Sequence, residues 1–200
     1  MNPAPHSSLQ YTVLALRREG RHVYTLKIHA NGVGLVCLGP DHPLLTYTQK
    51  DSMRHLTKVV YSQMALDGIS GVSGKRKKGA SVLFPRTPLM KVVFNTGVEV
   101  QLHIPLRSKV IELNERLETE PDLLRTYPES KGFLYIMLLR LDYRKALLAV
   151  LPVMTHRGEE LQDGSKLSRE RLAATEEQHK NVDQALGFVD SEFSDLNIKA

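Results

Sequence analysis

Short apolar stretches along the chain predict a series of β-strands. Between residues 98 and 104, apolar residues alternate with polar ones, and a period of two is typical of a half-buried strand. The apolar stretch 91–94 precedes this segment, and Asn95-Thr96-Gly97 lies between the two. The pattern therefore predicts a β-hairpin over residues 91–104 with Asn-Thr-Gly at its tip.

Further strands are predicted where aliphatic, aromatic and β-branched residues are concentrated. These segments are Tyr11–Leu16, Val23–Ile28, Val33–Leu38, His55–Tyr61, Ala80–Phe84, Lys109–Leu113 and Phe133–Leu141, with Ala146–Met154 as an extension. Turns or loops are predicted over the Gly-, Pro- or charge-rich stretches 17–21, 30–32, 39–43 and 68–79. Thr119-Glu120-Pro121-Asp122 predicts the start of one short helix, which reaches Arg125 or Thr126.

Many short strands with one short helix predict a mostly β fold, either a barrel or a sandwich. Residues 1–8 have no apolar pattern and are predicted to be disordered. The domain is predicted to cover residues 9–154. Residues 155–200 are polar and acidic, and Ser168–Leu186 has helix-forming composition, which predicts a tail that is partly helical or disordered.

Composition narrows the class of protein. The chain has 200 residues, of which 42% are hydrophobic and 24% are charged, which is ordinary for a soluble globular protein. The longest apolar runs are too short to span a bilayer, and the N-terminus lacks a secretory pattern, so no membrane association is expected. The single cysteine, Cys37, excludes an internal disulfide and favours the cytosol or nucleus.

Charge is distributed unevenly along the chain. Residues 1–111 hold 15 lysines and arginines against 5 acidic residues, whereas residues 112–200 hold 12 against 17. A basic first half favours an acidic partner, either nucleic acid or an acidic protein surface. The alternative is that the two halves neutralise each other in the folded protein.

The sequence predicts no catalytic residue, metal site or cofactor, and therefore no enzyme. The eight histidines form no His-x-x-x-His pair, and the one Glu-x-x-His pair, Glu176 and His179, is explained as a solvated helix face. Residues 68–75 lack the spacing and the hydroxyl of a phosphate-binding loop. Cys37 lies in an apolar run, which predicts a buried thiol and not a reactive one.

The strongest local feature is the run of four cations Lys75, Arg76, Lys77 and Lys78 between Gly74 and Gly79. Three interpretations compete for it. The first is a solvated loop without a role, and the second is a nuclear-import signal. The third is an electrostatic contact to phosphates or to an acidic protein. The nearest aromatic residues in the sequence are Tyr61 and Phe84. Because sequence-specific RNA recognition usually stacks bases on aromatic side chains, this makes a contact to nucleic acid less favoured than one to an acidic protein.

The segment from the predicted hairpin onward resembles the glycine cleavage system H protein, a lipoyl carrier. The resemblance lies in Pro105 through Glu118, in Pro121-Asp-Leu-Leu and in Lys131-Gly-Phe-Leu-Tyr-Ile. It implies a lipoyl-type barrel-sandwich hybrid, also called the single hybrid motif. In that family the modified lysine is at the hairpin tip. The corresponding position here is at or near Gly97, and Lys91 lies lower on the preceding strand, so carrier function is not expected.

Residues from about 29 to 141 resemble the Abitram family, the actin-binding transcription modulator also called Simiate. The shared pattern comprises His29-Ala-Asn, Asp41-His-Pro-Leu, the block Val72-Ser-Gly-Lys-Arg-Lys-Lys-Gly-Ala80, Pro88-Leu, Glu112-Leu-Asn-Glu and Gly132-Phe-Leu. The basic run is thus part of the most specific of these motifs. The chain has no tryptophan and so lacks the aromatic N-terminal stretch associated with the family.

The resemblance implies a non-enzymatic regulator in the nucleus, including nuclear speckles, and in the cytoplasm. It implies actin as a partner, with effects on filament assembly and transcription. Charge and predicted exposure make Lys75, Arg76, Lys77 and Lys78 the expected partner contact or import signal. The alternatives are a nucleic-acid-binding module that uses the basic half, and an adaptor for another protein.

Overall fold

The computed structural model describes residues 11–70, 81–151 and 153–154. These residues contain ten strands and five short helices. The strands are β1 (Tyr11–Arg18), β2 (Arg21–His29), β3 (Val33–Leu38), β4 (Leu56–Tyr61), β5 (Val82–Leu83), β6 (Pro88–Phe94), β7 (Glu99–His103), β8 (Ser108–Leu113), β9 (Tyr135–Leu138) and β10 (Val153–Met154). The helices are α1 (Pro43–Gln49), α2 (Gln63–Ser70), α3 (Arg116–Thr119), α4 (Leu123–Thr126) and α5 (Leu141–Val150).

The strands form two antiparallel sheets. One has seven strands in the order β10-β1-β2-β3-β9-β8-β5, and the other has three in the order β4-β6-β7. One face of each sheet contributes to a single apolar core, which includes Leu26 and Ile28 from β2 and Val92 and Phe94 from β6. Each of these four side chains is almost completely buried. The mostly β class with a barrel-sandwich arrangement, predicted from the sequence, is confirmed.

Several predicted strands lie where the sequence pattern puts them. Strand β3 covers the predicted Val33–Leu38, and β6 and β7 form the predicted hairpin. At its tip, the Gly97 N–H donates to the Phe94 carbonyl at 2.9 Å, and Gly97 has a φ of +80°. Glycine adopts this left-handed conformation without the strain that a side chain would add.

The prediction of a single short helix is wrong, because the described residues contain five. The predicted strand extension over 146–154 is helix α5 followed by the two-residue strand β10. Tyr143, Leu147 and Leu151 are spaced four residues apart, so a helix places all three on one face toward the core. An alternating strand would have turned some of the neighbouring polar residues inward.

Other boundaries also differ from the prediction. The predicted loop 17–21 is reduced to residues 19–20, because β1 and β2 extend into it. The predicted loop over 68–79 is wrong for its first three residues, which end helix α2. The predicted strand Phe133–Leu141 is reduced to β9, because α5 already begins at Leu141. The predicted helix at Pro121 begins two residues later, as α4, and α3 precedes it.

The predicted disordered N-terminus (1–8) and acidic tail (155–200) lie outside the described residues. Within the described part of the chain, no helix has both the length and the apolar character needed to span a membrane.

Candidate interaction surface

The basic run Lys75, Arg76, Lys77 and Lys78 lies outside the described residues, but both ends of its segment are described. Helix α2 ends at Ser70 and β5 begins at Val82. The Ser81 N–H donates to the Gly68 carbonyl at 2.9 Å, which holds the two ends together. Both ends of the segment therefore lie at the β5 edge of the seven-stranded sheet.

Beside this edge, cations alternate with apolar side chains on the outer face of the sheet. Val82 of β5 pairs with Lys109 of β8, and Lys109 pairs with Leu138 of β9, so the three form one row across the sheet. Directly opposed residues on neighbouring strands point to the same face. Just beyond β5, the guanidinium of Arg107 lies 5.4 Å from the centre of the Phe84 ring, in cation–π contact.

A β-bulge adds a further apolar side chain to this face. The register between β8 and β9 shifts between Val110 and Glu112, so Ile111 is the extra residue. As a result Ile111 and Glu112 are both exposed, where strict alternation would bury one of them. Ile111 therefore faces solvent on the outer side, with the Glu112 carboxylate next to it.

We call Val82, Phe84, Arg107, Lys109, Ile111 and Leu138 the apolar-basic face. Its four apolar side chains are exposed by 42%, 55%, 39% and 39% for Val82, Phe84, Ile111 and Leu138. Clustered exposed apolar residues mark interaction sites, and the two cations give this one a preference for acidic groups. The chemistry suits a partner that presents apolar and acidic side chains together.

Most motifs behind the Abitram resemblance have structural roles in the described residues. Asp41 accepts a hydrogen bond from the His22 N–H at 2.8 Å, which fixes the loop after β3 to β2. His42 caps helix α1, because its Nδ1 accepts from the Leu44 N–H at 3.1 Å, and Pro43 is the first helical residue. Burial, with a smaller contribution from Arg18, lowers the pKa of His42 to about 3, so its ring is neutral at pH 7.

Asn114 joins three parts of the fold. Its side-chain amide donates to the carbonyls of Lys131 and Phe133, each at 2.8 Å, and its own carbonyl accepts from the Tyr61 hydroxyl at 2.8 Å. Burial raises the pKa of Tyr61, so this hydroxyl stays protonated and remains a donor. Asn114 is itself buried, and both N–H groups of its amide are hydrogen-bonded. A substitution that left these carbonyls unpaired would destabilise the fold, because an unsatisfied buried polar group is costly.

Two further motif segments are explained by tight backbone geometry. In the turn between β2 and β3, the Asn31 side chain accepts from the Val33 N–H at 3.0 Å. At Gly132, an added Cβ would lie 2.1 Å from the Leu123 carbonyl oxygen, so no larger residue fits there. These motifs specify turns, a cap and a close approach. The basic block from 72 to 80 lies outside the described residues.

Cys37 is completely buried, as predicted, and burial raises the pKa of its thiol to about 12. The thiol is therefore protonated and unreactive at neutral pH. Among the described residues there is no group of three or more His, Cys, Asp and Glu side chains arranged to hold a metal ion.

The β6–β7 hairpin tip has no amine and is fixed to the neighbouring chain. The Asn95 N–H donates to the His55 carbonyl at 3.0 Å, and the Asn95 side chain contacts the His55 N–H and the Met53 carbonyl at 3.2 and 3.0 Å. Lys91 lies within β6, where its ammonium pairs with Glu99 at 2.8 Å. The position near Gly97 thus has none of the chemistry of an acylated arm.

The described residues define a mostly β domain with an exposed apolar-basic face, and comparison with known proteins adds its relatives. The chain is similar to Protein Abitram of Drosophila melanogaster, with 30% identity over 128 residues, 64% of this chain and 57% of the fly protein. Protein Abitram of Gallus gallus is 28% identical over 121 residues, 60% of this chain and 67% of the chicken protein. The human Protein Abitram is 26% identical over 120 residues, 60% of this chain and 64% of its own length.

These similarities confirm the resemblance to the Abitram family that the motifs predicted. The match covers little more than half of the fly protein. No family model matches the chain. Among solved structures, a glycine cleavage system H protein from Mycobacterium marinum is similar over 66% of this chain and 84% of that chain, with 13% identity and a TM-score of 0.39.

Sequence reasoning did not find the apolar-basic face. Two of its members, Val82 and Phe84, alternate in burial with Leu83, but all three are apolar, so the sequence does not show which of them face solvent. The exposure of Ile111 and Leu138 depends on the bulge in β8 and on the pairing of strands distant in sequence. Neither can be read from a local pattern.

Proposed function

We propose that this protein is a non-catalytic interaction regulator that binds actin and acts on filament assembly, with a transcription-linked role in the nucleus as well as the cytoplasm. The proposal places the contact, or the nuclear-import signal, at Lys75, Arg76, Lys77 and Lys78. Similarity to Abitram proteins supports it.

One observation carries the assignment of the site. The described motif residues are explained by a helix cap, turns and close packing, as at His42, Asn114 and Gly132. The basic block lies outside the described residues, and the ends of its segment are held together at an exposed sheet edge beside Phe84 and Arg107. Four cations at such an edge favour an acidic protein surface such as that of actin.

The alternative function is nucleic-acid binding. Phe84 supports it, because an exposed aromatic ring beside a guanidinium can stack on a base. Against it, Tyr61, the other aromatic residue near the basic run in sequence, is buried and donates to Asn114. A single exposed ring offers little stacking surface, so actin remains the first choice.

Co-sedimentation of the full chain with actin filaments, at low and moderate salt, tests the proposal. We expect binding at both salt concentrations and its loss when the four cations are neutralised together. The variant carries Lys75→Gln, Arg76→Gln, Lys77→Gln and Lys78→Gln. A matched control removes four exposed cations elsewhere, with Lys50→Gln, Lys58→Gln, Arg140→Gln and Lys145→Gln.

The control has the same net charge as the test variant, so a loss confined to the test variant locates the site. Equal losses in both would show a general charge effect and would overturn the site assignment. No co-sedimentation of the unmodified chain at either salt would overturn actin as the partner. Tight, steeply salt-dependent binding to a single-stranded oligonucleotide would then favour the alternative.

A further inference from the structure

The apolar-basic face is exposed, and the described residues do not cover it. Its row Val82, Lys109, Leu138 continues on β3 to Val33, so three of the four strands in this row contribute an apolar side chain. Phe84 is 55% exposed although it is a large aromatic residue. A surface of this kind is stabilised by an occupant that carries apolar groups for the sheet and acidic groups for Arg107 and Lys109.

The chain itself contains a segment with that chemistry. Residues 182–198 hold four acidic residues and no lysine or arginine. The same segment carries Phe188, Val189 and Phe193, and with them a high density of apolar side chains. Acidic and aromatic residues are therefore combined in one short stretch, which complements the combination of apolar and basic residues on the sheet.

We propose that residues 182–198 dock on the apolar-basic face of the same molecule. The carboxylates of Asp190, Glu192 and Asp195 pair with Lys109 and Arg107, and the phenylalanines cover Ile111 and Leu138. The docking goes beyond the proposed function and does not depend on the identity of the external partner.

The chain is long enough for this contact. The last described strand, β10, pairs with β1 at the far edge of the sheet, five strand spacings from β8. Five spacings correspond to about 24 Å. The 27 residues between Met154 and Val182 would span about 40 Å even as a continuous helix, and more if extended. The intervening residues are therefore long enough to reach the face.

A second copy of the chain is a weaker candidate for the occupant. Two apolar-basic faces brought together would oppose Arg107 and Lys109 of one molecule to the same cations of the other. Like charges placed opposite each other in an interface are unfavourable. The acidic segment avoids this repulsion, and its covalent attachment raises its effective concentration at the face.

Zero-length carbodiimide crosslinking of the full chain, read by mass spectrometry, tests the docking. The reagent joins an amine to a carboxylate only where the two are in contact. An equal mixture of ¹⁴N- and ¹⁵N-labelled protein separates links within one chain from links between chains. We expect links from Lys109 to Asp190, Glu192 or Asp195 within one chain, and none from Lys58, an exposed lysine of the three-stranded sheet.

A variant that keeps every carboxylate tests the apolar part of the contact. Phe188→Ser together with Phe193→Ser should abolish the Lys109 links, and Ile111→Gln with Leu138→Gln should do the same. Val60→Gln is the matched control, because Val60 is 42% exposed on the other sheet, and it should leave the links unchanged. Circular dichroism confirms that each variant is folded.

Three results would overturn the proposal. Links to Lys58 as frequent as those to Lys109 would show that the segment contacts the surface without preference. Links only between ¹⁴N and ¹⁵N chains would assign the face to a second copy. Lys109 links that survive in both apolar variants would show that the contact depends on charge alone. The apolar side chains would then not form the docking site.

Discussion

The outer face of the seven-stranded sheet is built differently at its two ends. Across β1, β2 and β3, Ala15, Thr25 and Cys37 form one row and are exposed by 0%, 1% and 0%. Glu129, in the loop 127–132, lies over this row, since its carbonyl accepts from Lys27 at 2.7 Å and its carboxylate lies 3.4 Å from the Thr25 hydroxyl. Across β9, β8 and β5, the side chains are larger and exposed.

The comparison shows how side-chain size decides what a sheet face can accept. Small residues at Ala15, Thr25 and Cys37 leave room for a loop to lie close against the backbone. Ile111, Leu138 and Phe84 project too far for a loop to do so, and they offer contact area instead. The first end, which we call the covered end, belongs to the folded core, and the other, the apolar-basic face, is left for a separate occupant.

Gly132→Ala should produce the largest change, and it acts on the covered end. Its Cβ would lie 2.1 Å from the Leu123 carbonyl oxygen, so the loop 127–132 must move. We expect a loss of about 3 kcal/mol in the free energy of unfolding, measured by chemical denaturation. The rate at which a thiol reagent modifies Cys37 should increase, because the loop covers it.

Gly20→Ala is the control for this change. Gly20 has a φ of +76° but open space around the missing Cβ. It should cost only about 1 kcal/mol, from backbone strain without a clash. If both variants lost the same stability and Cys37 stayed unreactive, loop packing over the covered end would not be what stabilises it.

Acid should have the next largest effect, through His42 at the cap of α1 and through His22, which contacts Thr25 of the covered end at 3.0 Å. Burial lowers the pKa of His42 to about 3 and also lowers the pKa of His22, although Glu129 raises the latter in part. The unfolded chain therefore binds more protons than the folded one below pH 6.5, and stability falls as the pH decreases toward 3. Between pH 6.5 and pH 4.5 the loss from His42 should be about 2 to 3 kcal/mol.

Chemical denaturation at pH 7, 5.5 and 4.5 measures this loss. The variant His42→Asn keeps a side-chain acceptor for the cap of α1 but does not titrate, so its stability should depend less steeply on pH. The slope is the quantity to compare, because the substitution also shifts the baseline. Identical slopes for the two proteins would remove His42 as the cause.

Substitutions on the apolar-basic face should have the smallest effect on stability. Ile111→Gln and Leu138→Gln should each change the free energy of unfolding by no more than about 0.5 kcal/mol, as expected for exposed positions. The measurement is made with Phe188→Ser and Phe193→Ser present, so that the acidic segment does not contribute. The buried Leu26→Ala is the reference and should cost about 2 to 5 kcal/mol. A cost above about 2 kcal/mol at Ile111 would mean that this end is also part of the core.

Local pattern was sufficient for much of the β structure. The alternation over 98–104 and the Asn-Thr-Gly turn predicted the β6–β7 hairpin, and the apolar run Val33–Leu38 predicted β3. Both depend on periodicity and turn chemistry, which are local. Helix α5 was missed because residues 146–151 form a continuous apolar run, which does not distinguish a strand from a short helix.

The surface could be predicted only in part. The basic run at 75–78 was visible in the sequence, and its role stays a prediction. The exposure of Ile111 results from a bulge, and its neighbourhood with Val82 results from the pairing of β5 with β8. Helix α1 was not predicted because its cap residue is a buried, neutral histidine. The burial of His42 depends on Tyr24, which packs against it from a different part of the sequence.

The hydrogen bond between Ser81 and Gly68 has a consequence for variation in length. Because it fixes the distance between the two ends, an insertion or deletion between them can leave α2 and β5 in place. For a closed loop, each doubling of length costs only about 0.6 kcal/mol in closure entropy. The number of residues between Gly68 and Ser81 can therefore vary with little effect on the sheets.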